Sequence, residues 1–183
     1  MDRDGKTDCT RAARPILVIM GVSGSGKSTV AGVLARALSW DFQEGDDLHP
    51  ASNVAKMASG VPLTDEDRLP WLDTVADWIR SHTRRGEPGI VTCSALKRSY
   101  RDVLAHGSES QVIFVHLFGT MTQLGDRLND RTDHFMPRGL LDSQLSTLEP
   151  IGPDENALVF DIGPPAEEIA ARIIAELDIR RTD

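Results

Sequence analysis

Eight consecutive residues, Gly21-Val22-Ser23-Gly24-Ser25-Gly26-Lys27-Ser28, match the pattern G-x-x-x-x-G-K-[ST] in full. Glycine at these spacings lets the backbone curl so that successive N–H groups face one point, which suits the oxygens of a phosphate. A lysine next to that nest reaches the β- and γ-phosphates of a nucleotide, and the Ser28 hydroxyl is placed to ligate Mg²⁺. Thr29 extends the set into the helix that must follow. The expected ligands are therefore ATP and Mg²⁺.

The phosphate loop alone does not separate kinases from GTPases or motor ATPases. An Asn-Lys-x-Asp guanine-reading motif does not occur. The strand that would carry a Walker B aspartate runs Ile90-Val91-Thr92-Cys93-Ser94, without a carboxylate. Asp46 and Asp47, at the end of an earlier strand, are the available substitutes. A kinase for a small hydroxyl needs a carboxylate beside the attacking oxygen, to orient it and take its proton. Asp46 is expected in that role, as base or in the metal shell with Ser28, and Asp47 could share it. His49, Lys56 and Arg68 lie just downstream. Further on, Arg127 and Arg131 stand four apart on one helical face; in small-substrate kinases a basic segment at this place closes as a lid over ATP and brings arginine charge to the phosphoryl group.

Elements of matching type surround these residues. Ile16-Leu17-Val18-Ile19-Met20 reads as a fully buried parallel strand. Val30, Val33, Leu34, Ala37 and Leu38 recur at helical spacing after the loop. A short second strand is expected around Trp40 to Gln43, then a helix around Ala51 to Ala58. A longer helix carries Leu72, Val75, Ala76 and Ile79, with Pro70 near its first turn. Gly89 to Cys93, Gln111 to Leu117 and Ala157 to Asp161 read as the remaining strands, and Ile169, Ile173 and Leu177 as the face of a last helix. Strands alternating with helices imply a parallel α/β sheet covered on both faces.

Composition narrows the function classes. The 183 residues carry 20 basic and 28 acidic side chains, a net charge of −8, and only 5% aromatic residues. Such a chain is a poor binder of nucleic acid or anionic membranes. The polar start, residues 1–14, is expected to be a disordered leader, with a single domain over 15–183. Two cysteines in unlike contexts, Cys9 and Cys93, argue against a disulfide framework and for a reduced, cytoplasmic setting.

The chain resembles the gluconokinase family of P-loop kinases, relatives of shikimate kinase and the nucleoside monophosphate kinases. The resemblance runs from about Ile16 to Leu177. It is carried by Met20 to Ser28, Gly45-Asp46-Asp47-Leu48-His49-Pro50, Asn53 with Lys56 to Gly60, Pro62 to Arg68 with Pro70-Trp71-Leu72, and Cys93 to Lys97 with Tyr100-Arg101-Asp102. Later matches are His134-Phe135, Ser143-Gln144 and Leu148-Glu149-Pro150. The resemblance implies a three-layer fold like that of nucleoside monophosphate kinases, with a five-stranded parallel sheet. It also implies a substrate-binding helical insertion over about 47–85 and a lid over about 127–147. The implied reaction is phosphorylation of D-gluconate on its 6-hydroxyl by ATP, feeding the pentose phosphate route, in a homodimer. Lys27, Asp46 and Arg131 would be catalytic, with Arg127 over the adenine. His49, Lys56, Arg68, Lys97, Arg101, His134 and Gln144 would grip the polyol and its carboxylate. Rival readings are a related kinase for shikimate, a nucleoside monophosphate or another sugar acid, and a regulator that binds ATP without transferring phosphate.

Overall fold

A computed structural model of the chain describes residues 14–129 and 138–179. Five parallel strands form one sheet: β1 (Ile16–Met20), β2 (Asp41–Gln43), β3 (Gly89–Thr92), β4 (Val112–Phe118) and β5 (Ala157–Asp161), in the spatial order β2-β3-β1-β4-β5. Seven helices are described: α1 (Lys27–Leu38), α2 (Ala51–Ala58), α3 (Asp65–Arg85), α4 (Arg98–Ala105), α5 (Met121–Asn129), α6 (Arg138–Thr147) and α7 (Ala166–Glu176).

Side-chain alternation along β1 explains the three layers. Leu17 and Ile19 point to one face, into a core with Leu34 of α1 and Ile169 and Ile173 of α7. Ile16, Val18 and Met20 point to the other, into a core with Trp71, Leu72, Val75 and Ile79 of α3 and Leu104 of α4. Every residue of β1 is buried, as a central parallel strand requires. Removing one such leucine or isoleucine side chain costs about 2–5 kcal/mol.

The strand order reverses at β1, which pairs with β3 on one side and β4 on the other. Ligands of open parallel sheets bind outside the carboxyl ends of the strands at such a point, and the phosphate loop follows β1 there.

Helix α3 starts earlier than Pro70 suggests. Thr64 caps it: its hydroxyl accepts from the Asp67 N–H while the Asp67 carboxylate accepts from the Thr64 N–H at 2.7 Å. Pro70 is therefore the sixth residue of a 21-residue helix and not part of its first turn. The helix ends at Gly86, whose φ of 64° provides the left-handed cap. At the opposite end of the sheet from the loop, buried His82 ties α3 to β2 through Asp41, 3.0 Å from its Nε2.

Candidate active site at the carboxyl edge of the sheet

The phosphate loop leaves β1 at Gly21, whose N–H donates to the Ser94 carbonyl at 3.4 Å. A Cβ on Gly21 would stand 2.7 Å from the Leu117 carbonyl oxygen, and φ is 137°, so both space and conformation demand glycine. Lys27 Nζ donates to the Val22 carbonyl at 3.1 Å, which lays the ammonium against the leading half of the loop. Helix α1 begins at Lys27 and directs its N-terminal N–H groups and positive dipole end toward the loop. Ser28, second in that helix, is exposed.

Beside the loop opens a cleft of about 300 Å³ lined by Gly24, Gly26, Thr29, Arg127, Ala166 and Ile169. Arg127 of α5 bridges its rim: Nη1 donates to the Ser25 carbonyl at 3.3 Å and Nη2 to the Ile162 carbonyl. The cleft adjoins the phosphate nest and carries a guanidinium held by two backbone carbonyls. From α6, Gln144 Oε1 accepts the Ser23 N–H at 2.7 Å.

On the other side of the loop, β2 ends in a tight 3-10 turn, Gly45–Leu48. A Cβ on Gly45 would lie 1.9 Å from the Thr92 carbonyl oxygen, so the exits of β2 and β3 touch only because residue 45 has no side chain. The turn is pinned by Gly45 N–H donating to Thr92 Oγ1 (2.9 Å) and by Trp71 Nε1 donating to the Gly45 carbonyl (2.7 Å). The Thr92 hydroxyl in turn donates to the Glu44 carboxylate. A rigid base thus presents Asp46, whose side chain is 78% exposed at the mouth of the site.

His49 stacks on Trp71, with ring centroids 4.1 Å apart and planes 16° from parallel, and its Nε2 is 4.0 Å from Asp46 Oδ1. Burial lowers the His49 pKa; Asp46 opposes this and Arg68 adds to it. Neutral imidazole is favoured, with the Asn53 amide donating to Nδ1 at 3.4 Å and the Nε2 proton directed toward Asp46. The Cys93 thiol follows β3 and is buried. Burial pushes it up to about 12, with Asp46 raising it and Lys27 and Arg68 lowering it.

The cations around α3 are held by its first turn. Lys56 Nζ lies 2.5 Å from Asp67 Oδ2. Lys97 Nζ donates to both oxygens of Asp65 (2.8 and 2.7 Å), and the Tyr100 hydroxyl donates to Asp65 Oδ1 at 2.5 Å. The Arg68 guanidinium sits 6.0 Å from the Tyr100 ring centroid. Ammonium, guanidinium and neutral imidazole groups thus gather on the side of the loop away from the Arg127 cleft.

Comparison with known proteins places the whole chain rather than its separate site residues. A family model described as an AAA domain matches residues 16–151. The chain is 55% identical over 139 residues to a gluconokinase of Gluconobacter oxydans, an alignment covering 76% of this chain and 78% of that one. The chain belongs to the gluconokinase family. A crystal structure of a gluconokinase from Sinorhizobium meliloti superposes with a TM-score of 0.83 at 44% identity, covering 92% of this chain and 94% of that one. A sugar kinase from a Janibacter species gives 0.86 at 45% identity, covering 92% and 99%.

Within this gluconokinase-family chain, the structure brings together most residues singled out from sequence. Gly21 to Thr29 form the loop and helix start, Arg127 borders the cleft, and Asp46, His49, Lys56, Arg68 and Lys97 gather at the exits of β2 and β3. Gln144 meets the phosphate loop. Arg131 and His134 lie outside the described residues, as do part of the lid and residues 1–13 of the leader.

Arg101 is a correction. Its side chain is 1% exposed and faces inward, where Nε and Nη2 clamp Glu155 at 2.5 and 2.9 Å. The remaining donors serve the carbonyls of Ala95, Leu96, Glu149 and Pro150 at 3.2–3.4 Å. A guanidinium so engaged has no donor left for a substrate and instead ties the loop after β3 to the segment after α6. Sequence reasoning also left Glu44, Asp65 and Asp67 without roles. The Thr64-x-x-Asp67 spacing ahead of an apolar helical pattern was the signal for Asp67; for the pairing of Glu44 with Thr92 there was none.

Proposed function

We propose that the chain transfers the γ-phosphoryl group of Mg·ATP to the 6-hydroxyl of D-gluconate, giving 6-phospho-D-gluconate and ADP. The observation that carries gluconate in particular is the 55% identity to a gluconokinase over 76% of the chain. The geometry supports the reaction type: a phosphate nest with its lysine, a nucleotide cleft on one side, and an exposed carboxylate among cations on the other.

In this reading the acceptor oxygen attacks the γ-phosphorus, the bond from that phosphorus to the β,γ-bridging oxygen breaks, and its electron pair leaves with ADP. Asp46 orients the hydroxyl and takes its proton, with the His49 ring fixing the carboxylate's surroundings. Lys27 and the loop amides neutralise charge on the phosphates. Arg127 holds the nucleotide end, and Lys56, Arg68, Lys97 and His49 serve the polyol and its carboxylate; Arg131 and His134 belong to the same proposal as parts of the lid.

The donor set fits Mg²⁺. Among the described residues no group of three His, Cys, Asp or Glu side chains forms a cage, which suits an ion carried mainly by phosphates and water with one or two protein oxygens. Ser28 and Asp46 would hold it, and the ion would supply positive charge against that of the phosphates. The helical insertion over about 47–85 as acceptor-binding segment, a cytoplasmic location, a homodimer and a place in the pentose phosphate route belong to the same proposal.

The test is turnover with Mg·ATP against gluconate, shikimate, glucose, glycerate and AMP, with ADP measured and the product identified. The expected result is ADP release with gluconate, yielding 6-phosphogluconate. Turnover with another acceptor instead would move the pocket to that substrate, and ATP binding with no turnover would favour the regulator.

A further inference from the structure

The contact between α6 and the phosphate loop has no place in the roles assigned so far. Ser23 contributes its backbone N–H, which only donates, so the partner atom on Gln144 must be the carbonyl oxygen of the carboxamide. That contact spans 121 residues of sequence and pins the side chain's orientation. With Oε1 committed, the Nε2 amide group makes no hydrogen bond among the described residues.

The position of Ser23 tells which part of a nucleotide this amide group faces. In the proposed function the cleft at Gly24, Gly26, Thr29, Arg127, Ala166 and Ile169 takes the base and ribose end. The other end is marked by Lys27, whose ammonium lies 3.1 Å from the Val22 carbonyl. A lysine of this motif reaches the β- and γ-phosphates. A terminal phosphoryl reached by Lys27 would therefore lie near Val22 and Ser23, where Gln144 comes to the loop.

We propose that Gln144 reads the terminal phosphoryl group of ATP: its carboxamide oxygen is held by the Ser23 N–H, and its amide N–H donates to a γ-phosphate oxygen. This rests on the reading of the chain as an ATP-dependent kinase but not on the identity of the acceptor. It replaces the contact to the polyol that the family resemblance implied for Gln144. A neutral donor in this place adds hydrogen bonding to the phosphoryl group without a further buried charge, and because α6 supplies it, the presence of the γ-phosphate bears directly on where α6 sits.

The test measures binding of Mg·ADP and of a non-hydrolysable Mg·ATP analogue by calorimetry, without acceptor, to the full chain and to Gln144→Ala and Gln144→Glu. Gln144→Glu keeps an oxygen for Ser23 but replaces the donor by a carboxylate. The expected result is that Gln144→Ala weakens the ATP analogue about tenfold and ADP by no more than about twofold, with Gln144→Glu losing more of the analogue than Gln144→Ala. ADP affinity close to wild type also certifies that each variant is folded. Equal losses for both nucleotides would overturn the proposal by making the contact purely structural. Tighter analogue binding in Gln144→Ala would overturn it by making Gln144 a plug in the phosphate site. Unchanged nucleotide affinities with a raised KM for gluconate would return the residue to the polyol. Failure of the kinase reading itself is a separate result, seen as absence of binding for both nucleotides to the unaltered chain.

Discussion

Lys27 and Asp46 occupy opposite sides of the reacting phosphoryl in the proposed reaction, and their substitutions should fail in different ways. Lys27→Ala removes a charge-bearing donor from the transferred group and is expected to lower kcat by about two to three orders of magnitude, with an unchanged far-ultraviolet dichroism spectrum. Asp46→Asn keeps the side chain's size and is expected to depress kcat by about 10²–10⁴-fold while KM for ATP stays within about twofold. If only ATP binding suffered, Asp46 would belong to the metal shell. Cys93 offers a control on the geometry. Its thiol is fully buried and pushed up to about 12, so thiol reagents at pH 8 should leave it unmodified in the native protein and label it after denaturation. The loop residues were legible because each position of the motif has its own job in binding phosphate. Arg101 was not, because an arginine four residues after Lys97 looks the same in sequence whether it points to solvent or into the core.

Among the elements, strands β1 and β5 and helix α2 have the limits their residue patterns imply, since short apolar runs and a Pro50/Ser59 frame leave little freedom. Helix α3 was misjudged at its start because proline was weighed ahead of the Thr64–Asp67 cap, whose Thr64 lies six residues before it. That cap has a pH signature. Asp67 is held down to about 2, first by Lys56 and then by the Thr64 N–H and hydroxyl, against an ordinary value of 3.8. A carboxyl lowered on folding contributes stability that is complete above its unfolded value and is lost as pH falls through its folded one. The melting-temperature gap between the wild type and Asp67→Asn should therefore be constant above about pH 4 and close as pH drops toward 2. The Arg101–Glu155 tie acts between elements. Burial alone would raise the Glu155 carboxyl, but the bonds from Arg101 and the Gly152 N–H outweigh it and the net shift is downward. Arg101→Ala would strand that carboxylate and is expected to cost about 3–5 kcal/mol in urea unfolding.

At the scale of the molecule, the site lies between units that α1, α3 and the turn after β2 hold in register, so ligand binding should be felt by the whole domain. At a Mg·ATP concentration about 100 times Kd, the added stability is about 2.7 kcal/mol. For a chain of this length that corresponds to a melting temperature higher by about 5–10 °C, readable by differential scanning fluorimetry. The Arg101–Glu155 junction also bears on the route by which the chain folds. Its two ends are 54 residues apart, and the guanidinium is stripped of water only once α4 and the segment before β5 have both docked. Closing so long a loop and dehydrating two charges yields little until both partners are in place. The clamp should then form after the rate-limiting barrier, so conservative weakening by Glu155→Gln would speed unfolding several-fold and leave the refolding rate nearly unchanged. A tie that contributes nothing to the speed of folding would thus govern how long the native site persists once made.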